Sequence, residues 1–264
     1  MIKCIVTDLD GTLLNERIEI QPSDITALLS AAQAGFELCF ATGRAYGEIQ
    51  QIMQKVGVSG YAVSQNGAWT YTKDGALLHA ATFAAETAQQ IIDILSSYDV
   101  VTLLCDADRY YIAEKTDRSR EYVERLIIPC EQVGPLREAV GGRIQTSKIN
   151  AFGKPERLKE ATDAIAHALS DVVDTYIVNE DCLDIMPTGV TKGKGLSQLL
   201  DHIGMQVDEM ACIGDSYNDV PMFALTPHSF AMANGPEDVR KKAAHTVASV
   251  AEAVERIVDQ CRAR

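Results

Sequence analysis

The chain has 264 residues, 47% of them hydrophobic and 23% charged, with 37 acidic side chains against 24 basic ones and a formal net charge of −13. That apolar share supports a globular core and disfavours disorder, and no apolar run reaches the roughly 18–20 residues a membrane-spanning helix needs. The acidic balance argues against nucleic acid as a partner, and it opposes small phosphorylated ligands unless local positive charge overrides the global field.

Ile2–Thr7 reads as a buried strand and lacks the basic start, apolar stretch and small-residue cleavage site of a signal peptide. Pro22–Ala34 reads as a helix, with Pro near its start, Ile25, Leu28, Leu29 and Ala32 at helical spacing, and Gly35 at its close. Phe36–Ala41 is a second strand, Arg44–Val56 a second helix and Tyr61–Ser64 a third strand. This alternation predicts βαβ units, a parallel sheet and right-handed crossovers. Trp69–Thr72 and Ala76–His79 flank Lys73-Asp74-Gly75 in the pattern of a hairpin.

The middle of the chain differs. Thr87–Leu95 is helical, Val100–Leu104 and Tyr110–Ala113 read as paired strands, and Arg118–Ile128 is again helical. Ile144–Phe152, Pro155–Leu169, Val172–Val178 and Cys182–Met186 continue a mixed strand and helix pattern. After Pro187 the βα rhythm returns, with a helix at Lys194–Ile203, a strand at Met210–Ile213, a helix at Val220–Leu225 and a strand at Ser229–Met232. Helices near Asp238–Ala244 and at Val250–Arg262 finish the chain. The economical arrangement is one α/β core, residues 1–82 with 188–264, split by an α+β insert at 83–187.

Seven cysteines is an odd count, and Cys4, Cys39 and Cys212 lie inside apolar runs. Buried thiols in a reducing cytoplasm fit this better than a disulfide framework. There is no CxxC or Cys/His cluster of the kind that binds zinc, and the five histidines are scattered.

Four segments can carry chemistry. Asp8-Leu9-Asp10-Gly11-Thr12-Leu13-Leu14 follows the first strand. Carboxylates at i and i+2 leave a strand on one side, and Gly11 lets the chain turn away. Two acids held together repel, so one ionises while its neighbour's pKa rises, which offers a nucleophile and a proton donor from the same chemistry. Ala41-Thr42-Gly43-Arg44 ends a strand and opens a helix, where a hydroxyl, backbone N–H groups and a guanidinium suit an anion.

Gly189-Val190-Thr191-Lys192-Gly193-Lys194-Gly195 lacks the spacing of a nucleotide-binding P-loop. A lysine at a helix start is disfavoured by the dipole unless it faces an anionic centre; Lys192 is the first choice for that role and Lys194 the reserve. Finally, Gly214-Asp215-Ser216-Tyr217-Asn218-Asp219 follows another apolar strand, and Asp215 and Asp219 can complete an oxygen-rich Mg²⁺ site begun by Asp8.

In that order and spacing these segments resemble the haloacid dehalogenase (HAD) superfamily of phosphatases. DLDGTLL (Asp8–Leu14), ATGR (Ala41–Arg44), GVTKG (Gly189–Gly193) and GDSYND (Gly214–Asp219) match its four motifs, and an insert between the second and third is similar to the Cof-type branch with class IIB caps. Asn66-Gly67-Ala68, Leu183–Pro187 and Ala231-Met232-Ala233-Asn234 add to the likeness. Ser216-Tyr217 and the sequence MANG depart from commoner forms, and the usual Asn-x-Asp-Gly before the last helix is missing, but no catalytic group is lost.

The resemblance implies a Rossmann-like three-layer core with a parallel sheet and a cap that chooses the substrate. It implies hydrolysis of small phosphorylated metabolites, sugar phosphates first among them. Asp8 would be the nucleophile forming an aspartyl-phosphate, and Asp10 the acid and then the base. Thr42 and Lys192 would hold the phosphoryl group, with Gly43, Arg44 and Asn218 as further substrate contacts. Mg²⁺ would sit among Asp8, the Asp10 backbone carbonyl, Asp215 and Asp219. Within the insert, Arg109, Arg143 and Lys148 are candidate substrate contacts. A phosphomutase on the same core is the enzymatic alternative, and a non-catalytic phospho-receiver the other; the second carboxylate, Asp10, argues against a receiver. Neither nucleic acid nor a membrane is expected as a partner, and the oligomeric state is left open.

Overall fold

A computed structural model describes residues 1–262; residues 263 and 264, the end of the segment assigned above to the core, lie outside the described residues. The chain divides into two compact units, Met1–Ala80 with Thr191–Arg264, and Ala81–Val190. The first unit begins with β1 (Cys4–Thr7), α1 (Pro22–Gln33), β2 (Glu37–Ala41), α2 (Tyr46–Val56), β3 (Tyr61–Ser64), β4 (Trp69–Tyr71) and β5 (Leu77–Ala80). The second unit holds α3 (Ala85–Leu95), β6 (Val101–Cys105), β7 (Tyr110–Ile112), α4 (Asp117–Val123), β8 (Cys130–Gln132), α5 (Leu136–Ala139), β9 (Lys148–Phe152), α6 (Pro155–Leu169), β10 (Val173–Asn179) and β11 (Cys182–Pro187). The first unit then resumes with α7 (Lys192–Ile203), β12 (Met210–Gly214), α8 (Val220–Phe223), β13 (Ser229–Met232), α9 (Glu237–Arg240), β14 (His245–Val247) and α10 (Val250–Arg262).

The first unit is built on an eight-stranded sheet in the order β14-β13-β12-β1-β2-β3-β4-β5. Strands from β14 to β3 are parallel, and β4 and β5 add an antiparallel hairpin at one edge. The apolar runs of β1 and β12 are buried along their whole length, as strands covered on both faces must be. On one face, Leu196, Leu199 and Leu200 of α7 and Met222 and Phe223 of α8 pack on Cys4, Val6, Cys39, Ala41, Val63 and Met210. On the other, α1 and α10 bury Leu28, Ala31, Ala253, Val254 and Ile257, and Asp24 Oδ1 accepts a 2.8 Å hydrogen bond from the Ala251 backbone. The result is a three-layer α/β architecture.

Strand order places the site. β2 and β3 are added on one side of β1 and β12 to β14 on the other, so the topology switches at β1. Thr7 pairs with Phe40 on one side and with Ile213 on the other, so the chain segments that follow β1, β2 and β12 leave along a single edge of the sheet.

The second unit is α+β, a six-stranded sheet in the order β10-β11-β9-β6-β7-β8. Ala88, Ile91 and Leu95 of α3 and Leu158, Ala161 and Ile165 of α6 cover Leu104, Ile149, Ala151, Leu183 and Ile185 on one face. The helix read over Arg118–Ile128 stops at Val123. Pro129 disfavours helical geometry at Ile128, and the chain enters β8 instead. The strand read from Ile144 begins only at Lys148, because the Thr146 hydroxyl bonds the Cys105 and Lys148 carbonyls and interrupts the ladder. β8, β14 and α5 were not anticipated; at three or four residues each they are too short to show a period. All seven cysteines are free thiols, Cys4, Cys39 and Cys212 among the buried ones. No helix among the described residues is long and apolar enough to cross a membrane.

Candidate active site

Immediately past β1, Asp8 is buried, and the chain folds back through Leu14 N–H to the Leu9 carbonyl at 2.7 Å. The turn needs Gly11, whose φ is +77°, and a Cβ there would strike the Asp215 carboxylate. That close approach joins the first and fourth motifs, and Thr12 Oγ1 seals it by donating to Asp215 Oδ1 at 2.7 Å.

Lys192 opens α7 behind Thr191, whose hydroxyl accepts from the Lys194 backbone N–H at 3.2 Å. Helical phase then sends Lys192 inward and leaves Lys194 exposed. Lys192 is wholly buried, and its Nζ donates to Asp8 Oδ1 at 2.6 Å and to Asp219 Oδ1 at 2.7 Å. The other Asp219 oxygen, Oδ2, accepts from the backbone N–H groups of Asp215 at 2.8 Å and Ser216 at 2.9 Å, which fixes the loop after β12.

Asp8, Asp215 and Asp219 each offer a carboxylate oxygen within 4.8 Å of the others. Burial pushes the Asp8 pKa well up, opposed by Lys192 and reinforced by Asp219. Asp215 is also raised, by burial first and with Thr12 opposing. Burial alone would lower Lys192, yet the charges of Asp219 and Asp8 outweigh it and hold the ammonium above its ordinary value. Three clustered carboxylates, two of them in contact with the Lys192 ammonium, leave an electronegative pocket of hard oxygen donors that fits a hard divalent cation.

The second motif lines the same sheet edge. Thr42 is buried, its N–H donates to the Val63 carbonyl at 2.9 Å, and its hydroxyl accepts from the Arg44 N–H at 3.2 Å. Arg44 grips Asp10 through Nε at 2.8 Å and Nη2 at 2.6 Å, and Glu48 through Nη1 at 3.1 Å. Asp10 therefore stands outside the carboxylate cluster, with its side chain 55% exposed. Asn218 is also exposed, and its Nδ2 donates to Asn66 Oδ1 at 3.0 Å.

Sequence reasoning assigned no role to Thr12, Glu48, Asn66 or Asn234. Glu48 sits one helical turn beyond Arg44 and Thr12 lies within the first motif, so spacing held a signal for both. Asn234 Nδ2 donates to the Gly11 carbonyl at 2.9 Å, a contact between residues 223 positions apart that no local pattern announces. In the second unit, Lys148 is buried beside Asp184 at 3.8 Å, whereas Arg109 and Arg143 lie at the surface and pair with Glu131.

Residues 5–256 match the profile of the family described as haloacid dehalogenase-like hydrolase. The chain is 26% identical over 234 residues to the HMP-PP phosphatase of Serratia proteamaculans (strain 568), a match spanning 89% of this chain and 85% of that protein. It is also 26% identical over 250 residues to the pyridoxal phosphate phosphatase YbhA of Escherichia coli (strain K12), spanning 91% of each. Among solved structures, TM0651 from Thermotoga maritima superposes with a TM-score of 0.89 at 26% identity, over 97% of both chains. With the acidic cluster at the switch point and the α+β unit inserted between the second and third motifs, the chain belongs to the haloacid dehalogenase-like hydrolases.

Proposed function

We propose that the protein is a Mg²⁺-dependent phosphatase of small phosphorylated metabolites that works through an aspartyl-phosphate on Asp8. The observation that carries the reading is the buried ammonium of Lys192 set between Asp8 and Asp219 at the sheet edge. A lysine is desolvated there at a helix start only if negative charge is the business of the site. The relatives' names, HMP-PP phosphatase and pyridoxal phosphate phosphatase, support small phosphorylated substrates and extend the screen from sugar phosphates to phosphorylated heterocycles. The core, residues 1–82 with 188–264, carries the chemistry, and the insert at 83–187 selects the substrate.

Lys192 engages Asp8 Oδ1, which leaves Oδ2 as the attacking oxygen. Asp8 Oδ2 forms the bond to phosphorus as the bond to the leaving oxygen breaks, and Asp10 supplies the proton that oxygen takes up. Water then attacks phosphorus, Asp10 accepts its proton, and orthophosphate leaves with Asp8 restored. Lys192, Thr42 and Gly43 offset and orient the phosphoryl charge, with Asn218 and Arg44 at its margin. Asp8, Asp215, Asp219 and the Asp10 carbonyl would hold Mg²⁺, which when bound supplies Lewis-acid stabilisation of charge on the phosphoryl oxygens. Proton transfer requires the Asp10 side chain to part from Arg44.

The test is phosphate release from a panel of sugar phosphates, pyridoxal phosphate and p-nitrophenyl phosphate. Activity is expected with Mg²⁺, to stop on chelation with EDTA and to return when Mg²⁺ is restored. Rates unchanged by EDTA would remove the metal from the reading. Asp10→Asn keeps the shape and one acceptor for Arg44 but carries no transferable proton. Its kcat is expected to fall by about 10²–10⁴-fold with little change in KM. A kcat within about threefold of the parent would contradict the acid–base role.

A further inference from the structure

Gln65, Asn66 and Gly67, the turn between β3 and β4, have φ of 47°, 56° and 100°, three consecutive residues in the left-handed region. Two of them lack glycine's freedom, so the surroundings must offset the strain. Those surroundings are the site. Gln65 N–H donates to the Arg44 carbonyl and Asn66 N–H to the Thr42 carbonyl, each at 2.9 Å. Gly67 is pressed so closely on the Thr191 carbonyl, just before Lys192, that a Cβ would collide with it. The Asn66 amide lies over Gly43, where an added Cβ would stand 3.4 Å from Oδ1 and 3.6 Å from Nδ2, and Oδ1 takes the Asn218 hydrogen bond. One strained turn thus touches the second, third and fourth motifs together.

We propose that Asn66 is a positioning residue of the phosphate-handling site and that it acts through Asn218. The inference rests on the phosphatase reading above. Asn218 is exposed on a short turn, and an exposed side chain without an anchor spreads over several rotamers. The Asn66 carbonyl oxygen fixes one of them, so the Asn218 amide is pre-oriented for an anion instead of being ordered when the anion arrives. Asparagine suits both demands, because it tolerates the left-handed backbone and presents an acceptor one methylene from it.

Asn66→Gly separates these demands, since glycine adopts the backbone freely and removes only the amide. The experiment measures kcat and KM for p-nitrophenyl phosphate, inhibition by orthophosphate and the thermal midpoint. The proteins compared are the parent, Asn66→Gly, Asn218→Ala and the double variant, all with Mg²⁺. Asn66→Gly should keep or raise the midpoint while KM and the orthophosphate inhibition constant rise about tenfold. In the Asn218→Ala background the same change should add less than about twofold, because its effect runs through Asn218. Asn66→Gly kinetics equal to the parent's, or the full tenfold loss persisting without the Asn218 side chain, would overturn the assignment and leave the phosphatase reading standing. A parent protein that releases no phosphate from any ester would overturn that reading, and the assignment with it.

Discussion

Asp8→Asn is expected to lower turnover of p-nitrophenyl phosphate by at least about 10⁴-fold while the protein stays folded. The substitution preserves volume and leaves an oxygen that can still accept from Lys192 Nζ, so the geometry around the ammonium survives. What disappears is the anionic oxygen that would bond to phosphorus, and an amide oxygen is a poor substitute. Because Asp8 is buried among Asp215 and Asp219, replacing it also removes one of three mutually repelling carboxylates. The thermal midpoint in the absence of divalent cation should therefore match or exceed the parent's, as expected where activity and stability are opposed. Acid-quenched parent protein, caught during turnover, should carry phosphate on the peptide that contains Asp8. A variant that keeps more than about one per cent of the parent rate would remove Asp8 from the nucleophile role.

The parts of the structure that were readable in the sequence share a physical cause. Strands β1, β2 and β12 are apolar on both faces because helices cover both, so each appears as a short run that stops abruptly at polar residues. Since those stops lie at the carboxyl ends of parallel neighbours, the residues that follow them converge, and Asp8, Asp215 and Asp219 do so. Helical phase at the start of α7 is what sends Lys192 inward and leaves Lys194 in solvent, a distinction that composition alone could not make.

Other features depend on pairings that no local pattern carries. Asp10 lies two residues from Asp8, yet its carboxylate is drawn away by a guanidinium from residue 44. Asn66 sits in a left-handed backbone only because two carbonyls of the second motif accept its turn's N–H groups, and a helix start leaves no room for a Cβ at Gly67. The acidic balance noted at the outset looks different once these positions are known. Several of the acids are gathered around one ammonium and leave a pocket that is itself electronegative, so an anion there would depend on Lys192 and on a cation held by those acids to offset the field.

Lys192→Met should damage stability as well as activity, and the stability loss is the more diagnostic of the two. Methionine fills a similar unbranched volume, so packing beneath α7 is largely retained, and the change isolates the charge. With the ammonium gone, Asp8 and Asp219 are left buried without the counter-charge that each now contacts at 2.6 and 2.7 Å. Breaking a buried pair in this way costs about 3–5 kcal/mol, which corresponds to a midpoint lower by about 10 °C in a unit of this size. Millimolar Mg²⁺ should return part of that loss, because a cation bound by the native carboxylates stabilises the fold by mass action, and the gain should exceed the parent's. Turnover should remain at least about 10²-fold down even with the midpoint restored, since the phosphoryl charge would still lack its lysine donor. A midpoint within about 2 °C of the parent's in EDTA would show that Lys192 is not the counter-charge of this cluster.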